Sequence, residues 1–140
     1  MGGSVSYHAG LAAEEIVAAD YARRGLRLER RRWRGKRGEI DLILREDDRV
    51  IFVEVKKSRD FARAAESLSY RQMQRILGAA EEFVAGEPKG LLTEMRFDVA
   101  LVDAVGRVEI LENACLAALR PDIEPWRAMR HVSGNVTQEF

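Results

Sequence analysis

Apolar positions recur along the chain with two different periods. Between residues 7 and 24, Leu11, Ala12, Ile16, Ala18, Ala19 and Ala22 supply strong helix formers. Gly25 follows where a helix C-terminus favours glycine. Gly10, Glu14, Val17 and Tyr21 fall three and four apart, so Glu14 shares a helix stripe with residues able to face a core. Glu15 points elsewhere. The pattern then shortens to alternation. Residues 26–33 read as a strand with Leu26, Leu28 and Arg30 on one face and Arg27, Glu29 and Arg31 on the other. Residues 39–44 and 50–56 read as a hairpin around the polar connection 45–49. A loop is expected over residues 58–67.

A second helix is predicted over residues 69–85. Met73, Ile76, Leu77, Ala80, Phe83 and Val84 form its apolar stripe, and Gly86 and Pro88 stop it. Ser69 with Gln72 three residues later matches a capping box, which gives Gln72 a structural role. Strands are predicted at 96–102 and 108–111, and a short helical piece at 116–119. From Pro121 periodicity fades. The expectation is one α/β domain over residues 7–119 in the order α-β-β-β-α-β-β, followed by an irregular tail, 120–140.

The hairpin register gathers polar groups. A connection centred between Asp47 and Asp48 pairs Glu46 with Arg49, Leu44 with Ile51, Leu42 with Val53 and Asp41 with Glu54. Opposed residues of antiparallel strands have Cβ atoms ~5 Å apart. Lys56 projects from the same face as Glu54, with Glu39 opposite it. The other face, from Ile40, Leu42 and Leu44 to Ile51, Val53 and Val55, is wholly apolar and is expected to be the core side. A slip of one residue would drive both acids into that core, so the pattern enforces their grouping.

Two adjacent carboxylates repel unless something positive joins them. A hard divalent cation, Mg2+ or Mn2+, with Asp41 and Glu54 as oxygen ligands is one solution. Such an ion polarises a phosphodiester and acidifies a bound water, and Lys56 can position that water or stabilise phosphate charge. The other solution is a surface network in which Lys56 merely neutralises Glu54 and Glu39. The residues alone leave both open.

Formal net charge is zero, against a protein that coats nucleic acid by bulk attraction, yet residues 23–37 hold nine basic side chains and one acid, Glu29. Arg31, Arg32, Arg34, Lys36 and Arg37 lead directly into the strand of Asp41. They suit contact with a phosphate backbone, or they defend an edge strand by charge. Trp33 reads as a partly buried ring rather than a base-stacking platform. His8 and His131 have no metal-ligand spacing, Asp98 reads as a structural acid, and Cys115 as a small buried side chain. One cysteine excludes an internal disulfide, and no apolar run reaches ~18 residues, so no membrane span, no secretion and a cytoplasmic location are expected.

The strings Gly38-Glu39-Ile40-Asp41-Leu42-Ile43 and Phe52-Val53-Glu54-Val55-Lys56 resemble the YraN family of bacterial predicted endonucleases. That family has the restriction-endonuclease-like fold of the PD-(D/E)xK superfamily and is similar to archaeal Holliday junction resolvases. The resemblance includes Gly10-x-x-x-Glu14, Gly25 and Arg96-Phe97-Asp98-Val99, and covers most of residues 10–115. It implies a central mixed sheet flanked by helices. It implies that Asp41, Glu54 and the Val55 carbonyl bind Mg2+ or Mn2+ and that Lys56 is the catalytic lysine. Glu14 would correspond to an acid that some superfamily members bring from the first helix; otherwise it is a helix acid paired with an arginine. DNA, including branched DNA in repair or recombination, is the implied substrate, and a homodimer the analogous assembly.

The chain also departs from the family. Many members carry a lysine near the start of the second helix, where Gln72 stands. A second phosphate-holding cation would then come from Arg71 or Arg75. The stretch Lys57-Ser58-Arg59-Asp60-Phe61 lacks the glycine often found after the phenylalanine. The alternative to an enzyme is a nucleic-acid-binding accessory module with this fold and little catalysis.

Overall fold

Every predicted strand up to residue 111 forms, and all join one sheet. The computed structural model describes residues 2–66 and 69–114; the helical piece 116–119, the tail 120–140 and Cys115 lie outside the described residues. Helix α1 is Gly2–Arg23, followed by strands β1 (Arg27–Arg34), β2 (Glu39–Glu46) and β3 (Arg49–Lys57). Then come helices α2 (Phe61–Glu66) and α3 (Tyr70–Val84), and strands β4 (Met95–Val102) and β5 (Val108–Leu111). The sheet order is β1-β2-β3-β4-β5, parallel between β3 and β4 and antiparallel elsewhere. A mixed sheet flanked by helices is therefore correct as fold class. No described helix is long and apolar enough to cross a membrane.

Two details of helix placement differ from the sequence reading. Helix α1 reaches back to Gly2. Helix α2 stands where a loop was expected. Its start is stabilised by Asp60, whose Oδ1 accepts the Arg63 amide at 2.8 Å.

The larger correction concerns burial. The hairpin was expected to have one core face, but both of its faces are covered. Ala13, Val17 and Tyr21 of α1 pack with Leu42, Leu44, Ile51 and Val53. Met73, Ile76 and Ala80 of α3 pack with Ile43, Val50, Phe52 and Phe97 on the other side. β3 lies at the centre of the sheet, with α1 over one face and α3, part of the crossover to the parallel strand β4, over the other. An uninterrupted run such as Val50-Ile51-Phe52-Val53 is the pattern of a strand buried on both faces.

β2 also changes face along its length. Leu42 belongs to the α1 side, whereas Ile40, two residues earlier, belongs to the α3 side. The break coincides with Arg32 on the neighbouring strand, whose φ of 50° lies in the left-handed region. Arg32 sits between the pairs Arg31–Leu42 and Trp33–Ile40. Trp33 is thereby turned toward α3, where its ring meets Phe83 edge-on at 5.4 Å. Asp41 is the residue of β2 at which this reversal occurs.

Candidate active site where two strands part

The β2–β3 ladder runs from Glu46–Arg49 through Leu44–Ile51 to Leu42–Val53, as the hydrophobic register predicts, and ends there. Asp41 and Glu54 do not form the next ladder pair. Instead Asp41 Oδ2 accepts the Val55 amide at 2.8 Å, a carboxylate standing where a backbone carbonyl would. Beyond this point β2 pairs only with β1, Ile40 with Trp33 and Glu39 with Arg34. β3 continues along β4, with Glu54 opposite Val99 and Lys56 opposite Leu101. The two arms diverge, and Asp41 and Glu54 sit in the opening.

Glu54 is buried, with 7% of its surface exposed. Its Oε1 accepts Gln72 Nε2 at 3.3 Å and lies 3.7 Å from Lys56 Nζ. Lys56 Nζ donates to Gln72 Oε1 at 3.0 Å. Glu54, Lys56 and Gln72 thus close a three-membered polar network. Burial pushes the Glu54 carboxyl up to about 8, the neighbouring Asp41 charge adds to the rise, and Lys56 opposes it. Burial likewise raises Asp41 to about 6; the Val55 hydrogen bond opposes this, while the charges of Glu14 and Glu39 reinforce it.

This donor set fits a hard cation. Two carboxylates penalised by burial and by each other regain their charged forms when a cation is taken up. Val55 presents its N–H to Asp41, and in extended backbone the C=O of that residue points to the same side, within the opening. Among the described residues no cluster of three or more His, Cys, Asp or Glu side chains forms a ready cage. Two carboxylates and a backbone carbonyl could hold such a cation only with water or substrate phosphate filling its further positions.

The remaining predicted residues are less free than their charges imply. Glu14 is buried on α1, and both of its oxygens are held by Arg32, at 3.1 and 3.0 Å. It is close enough to raise Asp41, but acting as a ligand would require Arg32 to release it. Arg34 pairs with Glu39 at 3.4 Å. The backbone amides of Lys36 and Arg37 donate to Glu82 at 2.8 and 2.9 Å, which fastens the β1–β2 turn onto α3. The Arg37 guanidinium lies 3.9 Å from Glu81. Arg31 and the Lys36 side chain are exposed. Asp98 is fully buried and structural: it accepts Tyr21 Oη at 2.8 Å, two bonds from Arg96 and the Asn113 amide.

Gln72 is the site residue that sequence reasoning missed. Ser69 does cap α3, accepting the Gln72 amide at 3.1 Å. The Gln72 side chain, however, turns into the sheet rather than serving only the cap. The available signal was its place four residues before Ile76, which puts a polar group in a row facing the core.

Residues 13–102 match the model of a family described as uncharacterised protein family UPF0102. A UPF0102 protein of Cereibacter sphaeroides (strain KD131 / KCTC 12085) is 66% identical over 117 residues, covering 84% of this chain and 100% of that protein. One from Ruegeria pomeroyi is 66% identical over 112 residues, 80% of this chain and 91% of its own. One from Dinoroseobacter shibae is 47% identical over 104 residues, 74% of this chain and 78% of its own. The matched family region includes Glu14, Asp41, Glu54, Lys56 and Gln72, and ends before β5.

Proposed function

This chain belongs to the UPF0102 family, and we propose that it is an endonuclease of the restriction-endonuclease-like class that hydrolyses phosphodiester bonds in DNA with Mg2+ or Mn2+. The observation that carries this reading is the nearness of half-buried Asp41 to buried Glu54, with Lys56 beside Glu54, at the point where β2 and β3 part. Asp41, Glu54 and the Val55 carbonyl are the groups suited to hold the cation. When bound, such an ion polarises a phosphate and acidifies a water. Lys56 places a positive Nζ beside Glu54, where it can orient a water or neutralise a phosphate oxygen. Arg31 and Lys36 are exposed near the approach and can guide a phosphate backbone without reading bases. A symmetric branched DNA would be cut by two such chains together.

One observation favours a second reading, a DNA-binding module with the same fold and no turnover. Lys56 already donates to Gln72, and both oxygens of Glu14 are occupied. Cleavage of labelled linear, single-stranded, flapped and four-way DNAs with Mg2+ or Mn2+ separates the two. Cutting that disappears in Asp41→Ala, Glu54→Ala and Lys56→Ala is the expected result. DNA binding without cutting, unchanged by Lys56→Ala, would establish the binding module instead.

A further inference from the structure

We infer that Gln72 is a positioning residue of this site, setting both Glu54 and Lys56 through the two ends of one amide. The inference rests on the nuclease reading for its consequence, but its geometry stands on its own. The Nε2 end donates to Glu54 Oε1 at 3.3 Å, and the Oε1 end accepts from Lys56 Nζ at 3.0 Å. An amide cannot exchange those roles without facing a donor with a donor. Its orientation is therefore fixed by its neighbours, and it fixes them in return. Lys56 and Glu54 are only 3.7 Å apart and unequal in reach. Without the bridge, the flexible lysine stem has several positions open to it.

The helix start does not need this side chain. Ser69 Oγ caps α3 through the Gln72 backbone amide, which every substitution except proline retains. The amide of Gln72 is thus committed to the sheet side, where it meets the two groups that carry the chemistry. The outer hydrogen bond to Oε1 restrains the Glu54 carboxyl next to Asp41, whose charge it feels. Outer partners of this kind typically alter metal affinity or activity by about 10- to 100-fold.

The test uses the full chain with Mn2+ as probe and two variants, Gln72→Ala and Gln72→Glu. Far-UV circular dichroism is expected to show α3 intact in both. In side-chain nitrogen NMR spectra the Lys56 ammonium signal is expected to persist in wild type and in Gln72→Glu, which keeps an acceptor. It should be lost to solvent exchange in Gln72→Ala. Mn2+ affinity, read from the electron paramagnetic resonance of free ion, is expected to fall at least about tenfold in Gln72→Ala. On a DNA that wild type cleaves, kcat should fall about 10- to 100-fold with KM within twofold. A Gln72→Ala protein with the wild-type ammonium signal and wild-type Mn2+ affinity overturns the inference. If wild type binds Mn2+ but cleaves nothing, the nuclease reading fails while these two readouts still decide the role of Gln72. If wild type binds no Mn2+, the metal reading fails and the ammonium signal decides alone.

Discussion

Glu14 and Arg32 meet in a two-pronged ion pair, Nε to Oε1 at 3.1 Å and Nη2 to Oε2 at 3.0 Å, joining α1 to β1 beside Asp41. Glu14 has only 6% of its surface exposed, so removing the arginine leaves a buried charge without its partner. Arg32→Ala is expected to destabilise the protein by about 2–3 kcal/mol in urea unfolding. Adding Glu14→Gln should restore more than half of that loss. Arg32 also holds φ at 50°, so Arg32→Gly should be less destabilising than Arg32→Ala by about 1 kcal/mol. A glycine variant less stable than the alanine variant would show that the backbone there is unstrained.

Buried Glu54 and half-buried Asp41 set a direction for stability against pH. Glu54 rises from 4.5 to about 8 and Asp41 from 3.8 to about 6 on folding. The folded state therefore holds extra protons between the unfolded and folded values. Their contribution is most favourable below the unfolded values and is lost as pH rises through about 6 and then about 8. In the absence of divalent ions, Glu54→Gln should be more stable than wild type at high pH, by on the order of 2 kcal/mol, and flatter in its pH profile. Mg2+ or Mn2+ should stabilise wild type more at pH 8 than at pH 6, because protons compete for the same oxygens. A Glu54→Gln protein whose metal-free stability tracks wild type at every pH would remove this account.

Tyr21 tests the core beneath the site. Its hydroxyl donates to Asp98 at 2.8 Å, and both side chains are buried. Tyr21→Phe takes one of several donors from a charged acceptor. The expected cost is about 1.5–3 kcal/mol in urea unfolding, with no change in Mn2+ affinity. A variant as stable as wild type would mean that Arg96 and the Asn113 amide alone satisfy Asp98.

Gly78 lies inside α3, where glycine costs about 1 kcal/mol relative to alanine. A Cβ there would stand 2.4 Å from Arg37 Cδ, so the arginine must move aside. Arg37 is well exposed and its contact with Glu81 is long, 3.9 Å, so displacement is cheap. Gly78→Ala is expected to leave stability equal or raise it by up to about 1 kcal/mol. A loss larger than that in thermal unfolding would reveal that the Arg37 stem is packed to a purpose.

What the sequence revealed of this protein follows from the range of each interaction. The pairs Leu42–Val53 and Leu44–Ile51 were legible because a hairpin is local and its apolar alternation admits one register. The grouping of Asp41, Glu54 and Lys56 came with it. That the ladder ends at Leu42–Val53 and Asp41 turns to the Val55 amide was not legible, nor was the left-handed backbone of Arg32 on the neighbouring strand, which no alternation pattern encodes. The burial of Ile43 and Phe52 depends on α3 returning over the sheet, and the site role of Gln72 depends on the same return. Glu14 had two readings; the structure shows the arginine partner, which lies 18 residues away on a different element.

Asp41, Glu54 and Lys56 all come from one hairpin, yet the opening between its arms belongs to the whole sheet. β1 holds one arm aside through Ile40 and Glu39, and β4 holds the other from Glu54 onward. Hairpins close in about 1–10 μs, whereas parallel pairing must wait for a distant strand. The hairpin contacts are local in sequence, whereas the β3–β4 contacts join segments about 45 residues apart. The opening therefore requires Met95–Val102 in place along β3, a strand that contributes none of the three charged groups.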